Sequence, residues 1–232
     1  MKVYLIPCPL AENAYDTLSF AVHEVVKNTT HYLVEDERSA RRFISGLGLG
    51  VNVRELNFYL LDKKTKYEQV QSYFKSIPSD ANVGIISEAG CPGIADPGAK
   101  AVEYAHKNGI EVQPLIGPSS ILLALMASGF NGQNFAFYGY LPVKKPEKVK
   151  EIKRLENDSM KFNRTQVFME TPYRNNALLD DLVANCHPDT KLCVACNITA
   201  EDQYIKTLRI AEWKKEKVDL HKKPTIFVLH AK

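Results

Sequence analysis

The chain has 232 residues, a formal net charge of +3 and 45% hydrophobic residues. This is the composition of an ordinary soluble globular protein, one large domain or two small ones. No apolar run is long enough to cross a bilayer, and the mild positive charge permits an anionic partner without demanding one.

The opening "MKVYLIPCPL" lacks the long apolar stretch and small-residue cleavage site of a secretory signal, so a cytoplasmic location is expected. Five cysteines fit a reducing compartment. "KVYLIP" (2–7) reads as a strand and "YDTLSFAVHEVVKN" (15–28) as a helix. A strand over 31–36, a helix over 37–47 and a strand over "VNVREL" (51–56) follow. Tyr67 to Ser76 is predicted helical and "NVGIIS" (82–87) extended. Pro97 to Asn108 reads as a helix, with Pro97 in its first turn and Gly109 as its stop. A strand over 110–116 closes this half.

"GPSS" (117–120) breaks the alternation. An apolar helix over 120–129, a strand over 134–142 and a charged helix over 144–157 come next. The pattern continues with a strand over 165–172 and a helix from Asn175 to Asn185. Segments 191–199 and 203–210 read as an antiparallel pair, and 224–231 as a final strand. The expectation is an α/β protein of two α/β domains, 1–116 and 117–232. The first has a mostly parallel sheet and the second a mixed one.

Two lookalikes are set aside. "SGLGLG" (45–50) resembles a dinucleotide-binding fingerprint but follows a helix and precedes a strand, so it reads as a helix cap and turn. Cys193 and Cys196 lie three apart on a strand, on opposite faces, which disfavours a shared metal, and no metal is expected. There is neither a G-x-S-x-G elbow nor a phosphate-cradling G-x-x-x-x-G-K-[ST], which argues against hydrolase and P-loop chemistry.

In parallel sheets, ligands bind beyond the carboxyl ends of the strands. Four loops meet that description: "PCPLAEN" (7–13), "EDER" (35–38), "SEAGCPGIADPG" (87–98) and "GPSS" (117–120). The third spends twelve residues where an ordinary turn needs a few. Its glycines and prolines let backbone approach a ligand and fix its shape, so a polar small molecule held by main chain is expected here.

"SEAGCPGIADPG" resembles the S-[DE]-A-G-x-P-x-[IL]-x-D-P-G signature of the tetrapyrrole methylase superfamily, the class III S-adenosylmethionine-dependent methyltransferases. "GPSSILLALMASG" (117–129), "FYGYLP" (137–142), "METPYR" (169–174) and "VED-R" (34–38) match further blocks in order, over nearly the whole chain. Within the superfamily, the branch most similar methylates a ribose 2′-hydroxyl in 16S ribosomal RNA. Three loops depart from that branch: "CPLAEN" replaces T-P-I-G-N-L, "CNITA" (196–200) replaces R-E-L-T-K, and "KKPTI" (222–226) lacks a K-G-E.

The resemblance implies a cofactor cleft between the two domains, S-adenosyl-L-methionine as cofactor, and a homodimer. It assigns the cofactor to Pro9, Ser87, Glu88, Ala89, Gly90, Cys91, Pro92 and Ile94. Ser119, Ser120 and Ile121 join from the linker, and Met169, Glu170, Pro224 and Thr225 from the second domain. A ribose hydroxyl must lose its proton during attack, and Glu88, Asp96 or Glu35 are candidates to take it. Ribosomal RNA or the small ribosomal subunit is the expected partner. Lysines of 144–154, Lys145 and Lys148 among them, and of 214–223 are candidate phosphate contacts, with arginines of 38–42. Tyr138, Tyr140 and Tyr173 are candidate stacking residues. Two alternatives stay open: a methyltransferase of a small molecule such as a tetrapyrrole, and a cofactor-binding protein without catalysis.

Overall fold

The computed structural model describes residues 1–232, which divide into two compact units, Met1–Ser119 and Ser120–Lys232. Unit 1 contains β1 (Lys2–Ile6), α1 (Phe20–Lys27), β2 (His31–Val34), α2 (Glu37–Gly46) and β3 (Asn57–Leu60). It continues with α3 (Tyr67–Ser76), β4 (Val83–Ile86), α4 (Ala99–Lys107) and β5 (Glu111–Pro114). The five strands form one parallel sheet in the order β3-β2-β4-β1-β5.

Alternation along the strands sends side chains to two separate cores. Tyr32, Val34 and Ile86 meet Val22 and Val26 of α1 and Phe43 and Ile44 of α2. Leu33 and Ile85 meet Val70 and Phe74 of α3 and Ala101 and Tyr104 of α4. Gly84 sits beside Tyr32 in register, and a Cβ there would lie 2.7 Å from Tyr32 Cδ1. The missing side chain leaves room for the tyrosine ring, whose hydroxyl donates to the carbonyls of Val26 and Thr29.

Three expectations in this half need correction. Residues 51–56 are not a strand. The Asn52 side chain accepts from Arg54 N and donates to Glu55 Oε1, so a local turn captures the backbone and the third strand begins at Asn57. The first helix does not begin at Tyr15, because Tyr15–Thr17 is a single 3₁₀ turn and Leu18 and Ser19 are extended. Pro97 lies outside its helix, since Gly98 stands at φ 149° and α4 starts at Ala99.

Unit 2 contains α5 (Ser120–Ser128), β6 (Phe135–Tyr140), α6 (Lys145–Phe162), β7 (Thr165–Met169) and α7 (Asn175–Asn185). After these come β8 (Lys191–Cys196), β9 (Tyr204–Arg209), α8 (Ile210–Trp213) and β10 (Thr225–His230). The sheet runs β6-β7-β10-β8-β9, with β6 and β7 parallel and the other pairings antiparallel. Ile152, Leu155, Phe168, Leu178, Leu182 and Phe227 belong to its core. Cys193 and Cys196 are both buried in β8.

Buried positions on α6 are Lys148, Ile152, Leu155 and Ser159, a helical stripe. Lys148 therefore points inward and meets Asp181 of α7 at 2.9 Å, with side-chain exposures of 7% and 10%. It is not the phosphate contact expected from the charged sequence around it. No helix is long and apolar enough to cross a membrane.

Candidate functional site

The carboxyl ends of β1, β2, β4 and β5 lie along one edge of the unit 1 sheet, so their four following loops gather there. The loops are tied to one another. Cys8 N donates to Gly90 O at 2.9 Å and Gly90 N to Cys8 O at 3.0 Å, an isolated antiparallel bridge between the first and third loops. The Cys91 thiol donates to Pro118 O at 3.4 Å, joining the third loop to the fourth. A Cβ on Gly117 would collide with the Pro7 ring, so first and fourth loops also close on each other.

Backbone conformation explains much of the signature's composition. Gly90 and Gly93 stand at φ 70° and 81°, where a side chain is strained. Gly98 is also needed, because its Cβ would come within 3.0 Å of Gly93 N. The amides of Glu88, Ala89 and Cys91 donate to no acceptor of the protein. Nothing stands within 4 Å of a Cβ placed on Gly93, and Ile94 is 54% exposed. Free donors, open backbone and one exposed aliphatic side chain fit a ligand with both polar and apolar parts.

Three candidate proton acceptors come from two of these loops. Burial holds the Glu35 carboxyl above its ordinary value, and the charges of Asp96 and Glu88 push it the same way. Burial also raises Asp96, with Lys63 opposing and Glu88 adding to the rise. Glu35, Glu88 and Asp96 thus share one electrostatic environment. Burial pushes the Cys8 thiol up to about 12 and raises that of Cys91, so neither is suited to act as a thiolate nucleophile.

Asp96→Asn is expected to stabilise the fold at pH 7. Below the ordinary aspartate value the carboxyl is neutral in both folded and unfolded chains, and nothing is lost. As pH rises, the unfolded chain ionises first, and stability falls until the raised folded value is passed. Asparagine escapes that loss. Urea titrations at pH 7 and pH 3 should show a gain at pH 7 that is absent at pH 3.

In unit 2, the end of β7 and the start of β10 share one sheet edge, with Ile226 paired to Met169. Glu170 is buried. Its Oε1 accepts from Thr171 N at 2.7 Å and from Arg174 Nη2 at 2.6 Å, while Oε2 has no partner. Burial pushes this carboxyl up, but Arg174, the Thr171 amide and Lys148 together hold it below its ordinary value. Asn175 donates to Lys223 O at 2.7 Å, and Asn197 N to Pro224 O at 2.9 Å. Met169, Glu170, Pro224 and Thr225 are therefore neighbours on one edge. Ser120 and Ile121 open α5, directly after Ser119. Of the candidate stacking residues, Tyr140 and Tyr173 are exposed, whereas Arg154 covers the Tyr138 ring at 5.3 Å.

The sequence reading missed a cleft of about 720 Å³ in unit 1, walled by the first loop, α2 and Ser87–Ala89. It also missed the buried charges of Lys148 and Asp181. Glu170 and Arg174 pair across the turn between β7 and α7, outside any helix, so helical spacing gave no signal for them.

The model of the tetrapyrrole (corrin/porphyrin) methylases matches residues 16–214. This chain belongs to that family. It is a methyltransferase, and the cofactor of the family is S-adenosylmethionine. The ribosomal RNA small subunit methyltransferase I of Vibrio cholerae is 27% identical over 231 residues, 98% of this chain and 76% of that protein. The Bacillus subtilis protein of the same name is 28% identical over 205 residues, 88% of this chain and 66% of that protein.

Among solved structures, the methyltransferase CobJ superposes with a TM-score of 0.66 at 16% identity, covering 99% of this chain and 94% of that one. Uroporphyrin-III C-methyl transferase from Thermus thermophilus, complexed with S-adenyl homocysteine, gives 0.58 at 17% identity, covering 99% and 97%. These likenesses establish the fold: two α/β domains, one with a parallel sheet and one with a mixed sheet.

Proposed function

We propose that this chain methylates a ribose 2′-hydroxyl of the RNA of the small ribosomal subunit. The observation that carries methyl transfer is the interlocked loop cluster around Gly90, with its free amides at Glu88, Ala89 and Cys91. The acceptor rests on the relatives named for ribosomal RNA, one of them matched over 98% of this chain. Charge distribution supports it. Unit 1 has 12 lysines and arginines against 14 acids, and unit 2 has 18 against 13, so the positive charge resides in unit 2. Lys214, Lys215, Lys217 and Lys222 are exposed there, as are Tyr140 and Tyr173.

Pro9, Ser87, Glu88, Ala89, Gly90, Cys91, Pro92 and Ile94 would hold the cofactor in unit 1, followed by Ser119. The family pattern adds Ser120, Ile121, Met169, Glu170, Pro224 and Thr225 of unit 2. Bound S-adenosylmethionine supplies a methyl carbon already activated by its sulfonium. What remains for the protein is alignment and the proton. Free amides of the signature loop orient by donating hydrogen bonds. A carboxylate among Glu88, Asp96 and Glu35 takes the proton that the acceptor hydroxyl releases. Raised values for Asp96 and Glu35 bring them closer to working pH as proton acceptors. A cytoplasmic homodimer completes this reading.

A tetrapyrrole acceptor is the second reading, favoured by the likeness to CobJ and to uroporphyrin-III C-methyl transferase. Calorimetry with S-adenosylmethionine in excess chelator should show binding. Labelled methyl should then pass to small-subunit RNA from a strain deleted for this chain. RNA binding should weaken steeply as salt rises. Transfer to a tetrapyrrole but not to RNA would overturn the ribosomal acceptor, and cofactor binding without transfer to either would leave a binding protein.

A further inference from the structure

The unit 1 cleft of about 720 Å³ falls in the size range of small-molecule sites. One wall is a single face of α2, where Ser39, Arg42 and Ser45 recur every three residues and project together. The other walls are Cys8–Asn13 of the first loop, Tyr15 and Ser87–Ala89. Pro9 and Ser87–Ala89 are residues assigned above to the cofactor, so a ligand in this cleft would lie against it.

Arg42 is exposed and enters no ion pair. Its neighbour Arg41 is differently placed, engaged by Glu37, by the Val53 carbonyl and by the Phe58 ring. The cleft therefore holds one guanidinium with all its donors free. Tyr15 is a fixed aromatic wall. Its ring stacks on Phe43, centroids 6.5 Å apart and planes 19° apart. Its hydroxyl occupies the space that a side chain at Gly46 would fill. Glu88, one of the three proposed proton acceptors, lines the same cleft.

We propose that this cleft receives one unstacked nucleotide of the RNA acceptor, with its phosphate on Arg42 and its base on Tyr15. The assignment rests on the RNA-methylating reading above. A guanidinium with free donors is suited to phosphate, which it binds in a bidentate manner. An aromatic wall suits the face of a base displaced from its stack. The serine hydroxyls of α2 supply hydrogen bonds between the two. A nucleotide so held brings its ribose to the side of the cleft where Glu88 and the signature loop begin.

The test uses the full chain saturated with S-adenosylhomocysteine. The probes are the four nucleoside 5′-monophosphates and the matching nucleosides, followed by saturation-transfer NMR. Arg42→Ala should weaken the monophosphates about tenfold and the nucleosides little, since only the phosphate contact is lost. Tyr15→Ala should weaken both, and Tyr15→Phe should restore both. Calorimetric affinity for S-adenosylhomocysteine should stay unchanged in Arg42→Ala. Monophosphate binding that ignores both substitutions, or that S-adenosylhomocysteine displaces, would overturn the assignment. So would undiminished methyl transfer to small-subunit RNA by Arg42→Ala and Tyr15→Ala. Failure of the unsubstituted chain to bind cofactor would instead overturn the methyl-transfer reading, while Arg42-dependent monophosphate binding would still support the cleft.

Discussion

Gly90→Val should abolish cofactor binding and weaken the fold. Gly90 is buried at φ 70°, a conformation that a β-branched residue rarely adopts. Its amide and carbonyl are both committed to Cys8, so the backbone has little freedom to escape the strain. The loss of stability should be about 1–3 kcal/mol, the usual range for a residue held in such a region.

Gly90→Ala separates the two effects. Its Cβ would lie 3.2 Å from Leu10 Cδ2, the end of a flexible side chain, and 3.5 Å from Pro118 O. Alanine should therefore fold, with reduced stability and weakened binding. Calorimetry with S-adenosylhomocysteine beside urea titration reads both quantities. A folded Gly90→Val with unchanged affinity would make the loop a structural turn.

Gly90 also shows what the sequence could reveal. A glycine in a twelve-residue strand-to-helix connection says that backbone shape matters there. Parallel alternation says which other loops are its neighbours. Neither says that Cys8 and Gly90 form a bridge, because that pairing depends on the three-dimensional path of two loops far apart in the chain. The cleft was hidden for the same reason. Ser39, Arg42 and Ser45 could be placed on one helix face from their spacing. That Tyr15 packs against Gly46 depends on a 3₁₀ turn the periodicity did not disclose. The misplaced strand at 51–56 reflects competition: its alternating apolar residues favour extension, but Asn52 offers the backbone a closer partner.

Lys148 was legible and was misread. It lies four residues before Ile152, on the line that continues through Leu155 and Ser159. A lysine on an apolar stripe needs a buried partner, and charge density alone suggested solvent. Asp181, equally, occupies a buried position of α7 between Leu178 and Leu182.

The pair predicts an asymmetric response. Asp181→Leu leaves the Lys148 ammonium buried with its ion pair gone, and should destabilise the chain by about 3–5 kcal/mol. Lys148→Met should cost less. Asp181 then keeps Lys145, whose Nζ stands 3.5 Å away with 78% of its side chain exposed. Methionine also retains much of the aliphatic stem that fills the site between α6 and α7. The double replacement, Lys148→Met with Asp181→Leu, should recover part of the loss, because two apolar side chains do not need each other's charge, although leucine is larger than the aspartate it replaces. Urea titration of the four proteins gives the coupling directly as a double-mutant cycle. If Asp181→Leu is no worse than Lys148→Met, the lysine finds water when its partner is removed, and the pair is not the closed one its exposures describe. Arg174 and Glu170 set a further condition. Lys148 lowers the Glu170 carboxyl through its charge, so Lys148→Met should also move that carboxyl upward, a change that carbon-13 NMR of labelled Glu170 can follow.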